Sequence, residues 1–148
     1  MAAIVIRNAR LTDAPELADL SGQLGYPSTG EQLRDRLASL LERRDDLVLL
    51  AVDEGDRAVG WIHAAIRRQL ELDPFVQIAS LVVARQYRGS GIGVDLLSRA
   101  EEWARRSGVE EIHIRSNVVR ERAHAFYLRE GYRQAKTSHL FVKRRDDR

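Results

Sequence analysis

The 148-residue sequence contains no cysteine, which excludes a disulfide framework and a thiol nucleophile. Its histidines, His63, His113, His124 and His139, are dispersed without metal-ligand spacing, so no metal site is expected. No stretch approaches the ~20 apolar residues of a membrane span. The start, Met1-Ala2-Ala3-Ile4-Val5, lacks a basic n-region and a cleavage signal. A cytoplasmic chain without a membrane partner is therefore expected. An excess of one charge is missing too: 24 Lys and Arg face 22 Asp and Glu, and the basic run Lys143-Arg144-Arg145 is followed at once by Asp146-Asp147. Nucleic-acid binding requires a clustered basic face, and none is expected here. What remains, with 44% hydrophobic residues, is a globular chain of one-domain size, residues 1–148.

Ile4-Val5-Ile6-Arg7 reads as a first strand. Thr12 follows as the N-cap of a helix carrying Leu17, Leu20 and Leu24 at helical spacing. Gly25-Tyr26-Pro27-Ser28 ends that helix, and Thr29 with Gln32 makes a capping box for a second one. Residues 46–52 and 58–66 flank the turn Asp53-Glu54-Gly55-Asp56 as a hairpin. Residues 70–74 form a connection, and residues 75–83 are the longest apolar run, as expected of a central strand covered on both faces. A helix with Ile92, Leu96, Leu97, Ala100, Trp103 and Ala104 on one side ends at Gly108. A strand at residues 111–115 completes a right-handed parallel crossover. A short helix around Ala123, Phe126 and Tyr127 ends at Gly131, and residues 132–137 and 139–143 are expected to close the chain as a β pair. The class is a mixed α/β fold, a central mixed sheet flanked by helices.

The chain is organised around Ser80-Leu81-Val82-Val83-Ala84-Arg85-Gln86-Tyr87-Arg88-Gly89-Ser90-Gly91-Ile92-Gly93-Val94. A strand and a basic hinge lead through three alternate glycines into an amphipathic helix. Without Cβ atoms in the turn, backbone N–H groups can converge on an anion, and the helix adds the positive end of its dipole. A P-loop would need Lys-Ser/Thr after Gly91, where Ile92-Gly93 stand, so ATP is not expected. The dinucleotide fingerprint would need a glycine at Val94.

Arg88, Gly91 and Gly93 after a Val-rich strand resemble the Arg-x-x-Gly-x-Gly acyl-CoA signature of the GNAT superfamily of N-acyltransferases. A second stretch, Asn117-Val118-Val119-Arg120-Glu121-Arg122-Ala123-His124-Ala125-Phe126-Tyr127-Leu128-Arg129-Glu130-Gly131-Tyr132, is similar to the C-terminal motif of that family. The resemblance extends over essentially the whole chain. It implies a GNAT-like fold whose central strands splay around acyl-CoA, with the turn Arg88, Gly89, Ser90, Gly91, Ile92, Gly93, Val94 holding the pyrophosphate. It further implies that backbone groups of Leu81, Val82 and Val83 and the side chain of Asn117 meet the pantetheine arm, and that Tyr127 stands beside the sulfur as a hydrogen-bond donor to the departing thiolate. From its helical stripe alone, Tyr127 reads as a core aromatic, and Gly131 as a helix stop.

What the resemblance implies is an acetyl-CoA-dependent N-acetyltransferase, with acetyl-CoA as cosubstrate and direct attack by a primary amine, since no cysteine can carry the acyl group. The alternative is a non-catalytic acyl-CoA-binding regulatory domain, and a nucleotide-binding module is a weaker rival. Family habit implies a possible homodimer. The acceptor and acyl chain length are not legible. Relatives place a Glu on the central strand as general base, but this chain has Gln77, Ala79 and Ser80 there. Glu71, Asp73, His63, His139 or water remain as proton acceptors, and His63 reads first as a packed, hydrogen-bonded histidine.

Overall fold

The apolar segments between residues 5 and 114 pair into one sheet. A computed structural model describes residues 3–115 and 121–146, and the chain divides into two compact units, residues 1–115 and 116–148. In the first unit β1 (Val5–Asn8), β2 (Asp46–Val52), β3 (Ala58–Gln69), β4 (Leu72–Val83) and β5 (Ile112–Ile114) lie in the order β1-β2-β3-β4-β5. Pairing is antiparallel as far as β4 and parallel between β4 and β5. The parallel pair is joined by α3 (Ile92–Arg106), while α1 (Ala14–Leu24) and α2 (Gly30–Leu41) connect β1 to β2.

Each face of the sheet has its own helical cover. Trp61, Val82, Val48, Leu50 and Val52 cluster with Leu17 and Leu20 of α1 and Leu37 of α2. Because strand side chains alternate, Gly60 faces the other way, where a Cβ would lie 3.4 and 3.6 Å from Leu96 and Ile92 of α3. Leu96, Leu97 and Ala100 are fully buried on that side, each leucine contributing roughly 1.5–3 kcal/mol by leaving water. The capping box at Thr29 and Gln32 forms in both directions, and Gly108 follows α3 with a φ of 74°.

Three local expectations are corrected. The connection expected at residues 70–74 is a tight turn, because β3 runs on to Gln69 and β4 starts at Leu72. Thr12 does not cap α1. Leu11–Asp13 forms a 3-10 turn instead, and Asp13 accepts the Arg10 N–H at 2.6 Å. The terminal β pair is not formed. Residues 133–144 have no regular structure, and Leu140, Phe141 and Val142 are exposed. High β propensity in an isolated pair does not hold a ladder without further strands or a packed face.

Asp13 is also the hub of an ion pair that ties β1 to α1. Arg7 donates to both of its carboxylate oxygens, at 2.9 and 2.8 Å, and to Asp56 at 3.0 Å. The hydrogen bond from Arg7 holds the Asp13 carboxyl below its ordinary value of 3.8, against the opposing effect of burial. A depressed carboxylate stabilises the fold above its unfolded-state value, and the contribution is lost as pH falls through the lower folded one. Asp13→Asn is therefore expected to cost about 2–3 kcal/mol near neutral pH. The gap to the parent in thermal melts should narrow on acidification; a gap constant from neutral pH to pH 3 would contradict this account.

Candidate active site

The turn between β4 and α3 exposes donors by construction. After β4, Arg85–Tyr87 forms a 3-10 turn with Tyr87 N–H on the Ala84 carbonyl at 2.9 Å. Arg88 N–H returns to Arg85, and both the N–H and the hydroxyl of Ser90 donate to the Tyr87 carbonyl. Gly89 and Gly91 then take φ values of 80° and 88°, a region in which L side chains are strained. The first intrahelical bond of α3 runs from Asp95 N–H to the Gly91 carbonyl, leaving the N–H groups of Ile92, Gly93 and Val94 without an intrahelical partner. The Ile92 side chain is buried and anchors the helix start, while Arg88, Gly89, Ser90 and Gly91 are exposed. Such a turn suits a diphosphate: amides without an intrahelical partner, the positive end of a 15-residue helix and the exposed Arg88 coincide.

The strand leading into the turn has an open edge. β5 pairs with β4 only from Val76 to Ile78. The next residue, Ala79, is an extra one in the β3–β4 ladder, because His63 faces Ser80 while Ala64 faces Ile78. Past this bulge Ala84 donates to the Val59 carbonyl at 2.8 Å. Alternation therefore aims the backbone groups of Ser80, Val82 and Ala84 at β3, and those of Leu81 and Val83 at the edge that β5 has left. Among the described residues no strand pairs with that edge. Val82 thus differs from its neighbours: its side chain is core and its backbone is engaged with β3.

A row of polar side chains lies beside the bulge, on the sheet face that α1 and α2 cover. Trp61 Nε1–H donates to Ser80 Oγ at 2.8 Å. His63, directly opposite Ser80, is joined through Nε2 to Asp46 Oδ1 at 2.8 Å, and Arg43 Nε holds the other Asp46 oxygen at 2.7 Å. An ionised carboxylate only accepts, so the proton of the neutral ring sits on Nε2 and its lone pair on Nδ1. No described residue bonds Nδ1, and the side chain is 21% exposed. Farther along β3, Arg67 Nε donates to Gln77 Oε1 at 3.2 Å. Glu71 and Asp73 are exposed at the far end of the hairpin, Asp73 seven residues or ~23 Å of strand from Ser80.

In the second unit α4 (Glu121–Arg129) carries Tyr127 half-buried, with its ring edge-on to Phe126 at 5.4 Å and to Tyr132 at 6.2 Å. Tyr132 N–H closes the helix end on the Tyr127 carbonyl, and Gly131 supplies the φ of 93° that this turn needs. His139 is exposed, 6.4 Å from Phe141. Asn117 lies outside the described residues.

Residues 14–132 match the family model described as Acetyltransferase (GNAT) family. The chain belongs to the GNAT family. It is 37% identical over 117 residues to an aminoalkylphosphonate N-acetyltransferase of Salmonella typhimurium, covering 78% of this chain and 73% of that one. It is 26% identical over 133 residues to an aminoglycoside N(6')-acetyltransferase type 1 of Acinetobacter genomosp. 13, covering 86% and 91%. An aminoglycoside N-acetyltransferase solved in complex with CoA shares the fold, with a TM-score of 0.85 at 18% identity over 97% of each chain.

This GNAT protein is accordingly an acetyl-CoA-dependent N-acetyltransferase, with acetyl-CoA as cosubstrate and an amine as acceptor. Its glycine turn, its open β4 edge and the polar row at the bulge follow one another along β4. Sequence reasoning missed Asp46, placing it only at the start of a strand. Counting back from the hairpin turn finds it, since Val52 faces Ala58 and, after one irregularity, Val48 faces His63, with Asp46 the next residue on that face.

Proposed function

We propose that the whole chain acts as one N-acetyltransferase domain that passes the acetyl group directly to a small primary amine. The turn Arg88, Gly89, Ser90, Gly91, Ile92, Gly93 and Val94 holds the pyrophosphate, and Leu81, Val83 and Asn117 hold the pantetheine arm. Tyr127 donates a hydrogen bond to the departing thiolate. His63 Nδ1 takes the proton that the amine must lose, with Asp46 fixing the tautomer and ring orientation. The observation that carries this reading is the open β4 edge between the anion-binding turn and the Asp46–His63 pair. The aminoalkylphosphonate relative, at 37% identity, supports a small acceptor.

A primary amine of pKa ~10.4 is mostly protonated at neutral pH, so a base matters to the rate. Release of free CoA in the presence of an amine panel tests the transfer itself, and a chain that binds CoA without ever releasing it would be the non-catalytic domain. The base is tested by log kcat/KM profiles for two acceptors of well-separated pKa. A limb at the same pH for both, lost in His63→Gln together with about tenfold in kcat/KM, is expected. Limbs that track each acceptor's own pKa would assign the proton to water instead.

A further inference from the structure

The polar row continues past the proton acceptor, and its last member has no ion-pair partner among the described residues. His63, Ala65 and Arg67 share one face of β3, two residues or ~6.6 Å apart at each step. Ala65 is small and buried, leaving a floor between the two larger side chains. Arg67 is exposed, and its Nε donates to Oε1 of Gln77, which stands opposite Ala65, at 3.2 Å. Of the nearby charges, Arg43 and His63 share Asp46, Arg68 lies 3.7 Å from Asp45 and His113 is bonded to Glu111, while Glu71 and Asp73 at the hairpin end are exposed and make no ion pair among the described residues. Arg67 forms no ion pair among the described residues, and the hydrogen bond to Gln77 uses Nε alone, leaving the Nη groups available to a carboxylate or phosphonate, which a guanidinium can grip bidentately.

We propose that the acceptor carries an anionic group, and that Arg67 binds it while the amine lies at His63. This rests on the N-acetyltransferase reading with the amine at the β4 bulge. Because Arg67 bonds Gln77, the residue opposite Ala65, the proposed anion position is about two strand residues from the amine, roughly 6 Å. That length fits a two- or three-carbon ω-amino acid, either a phosphonate or a carboxylate, and is too short for a long polyamine bound end to end. A long neutral amine would leave the fork unpaired.

The test compares 2-aminoethylphosphonate, 3-aminopropanoate and butylamine as acceptors, with CoA release as the readout, in the parent and in Arg67→Gln and Arg67→Lys. The parent is expected to favour both anionic acceptors over butylamine. Arg67→Gln should lower the ratio of anionic to neutral kcat/KM by about tenfold, through KM and not kcat, as expected for lost charge-assisted hydrogen bonds. Arg67→Lys should recover part of it, since a point charge replaces the fork. A larger loss for the phosphonate than for the carboxylate would mark the phosphonate as the natural group, and equal losses the shared negative charge. Butylamine used as well as the anionic acceptors, or a ratio that Arg67→Gln leaves in place, would overturn the assignment while leaving N-acetyl transfer standing. Absence of CoA release with any amine would remove the reading beneath it, and the assignment with it.

Discussion

Replacing Gly91 by valine is expected to weaken CoA binding by about a hundredfold while leaving the fold in place. Gly91 has a φ of 88°, and a built Cβ meets no atom within 4 Å, so the conflict is with the backbone conformation and not with packing. A β-branched residue in the left-handed region costs at least ~1–2 kcal/mol, and the turn relieves it by rotating out of that region. Rotation re-aims the amides on either side, and N–H bonds to charged groups are worth about 1.5–3 kcal/mol each, so two misdirected donors account for the factor. The helix survives because Ile92, Leu96, Leu97 and Ala100 remain buried beneath it. The melting temperature should fall by only a few degrees. Calorimetric titration with CoA reads the effect directly, and parent-like affinity in a folded variant would remove the turn from the pyrophosphate site.

That turn is among the most legible parts of the sequence, because the signal is local. Glycines at alternate positions between a strand and an amphipathic helix mark a tight turn whose backbone must stay bare, and the structure gives Gly89 and Gly91 the positive φ values that only glycine takes cheaply. The Thr29–Gln32 capping box and the buried stripe of α3 are local in the same sense, each decided within four residues or one helical face. The hairpin of β2 and β3 follows from its turn residues, although its far strand is longer than expected and runs to Gln69.

What the sequence does not show depends on register. The bulge at Ala79 changes which residues of β4 turn their backbone outward, separating Leu81 and Val83 from Val82, and nothing in an apolar run announces an extra residue. The Asp46–His63 pair has the same origin, being set by how β2 and β3 slide past one another. His63 reads from sequence as a packed, hydrogen-bonded histidine, and it is one; its partner is a carboxylate on the neighbouring strand, which turns a packing residue into an oriented imidazole. The exposed Leu140, Phe141 and Val142 show the opposite error, a strong β propensity without the strand neighbours that would realise it.

Tyr127→Phe should lower kcat roughly a hundredfold with little change in acetyl-CoA affinity or stability. In the proposed reaction a thiolate with an ordinary pKa of ~8.5 leaves opposite a phenol with an ordinary pKa of ~10, so full proton transfer from tyrosine would be uphill by about 2 kcal/mol. The role proposed for the hydroxyl is therefore a hydrogen bond that strengthens as charge gathers on sulfur, an interaction made in the transition state and hardly at all in the ground state. Removing such a bond depresses kcat and kcat/KM together and leaves KM for acetyl-CoA near its parent value. The phenyl ring keeps the edge-on contacts with Phe126 and Tyr132, so α4 retains its packing and the thermal melt should shift by no more than the ~1 kcal/mol of one hydrogen bond. Stability and kcat thus separate the two roles this residue could have, since a purely packing tyrosine is replaced by phenylalanine at almost no catalytic cost. Turnover within a factor of two of the parent, with a working acceptor, would place the donor to the thiolate on another group.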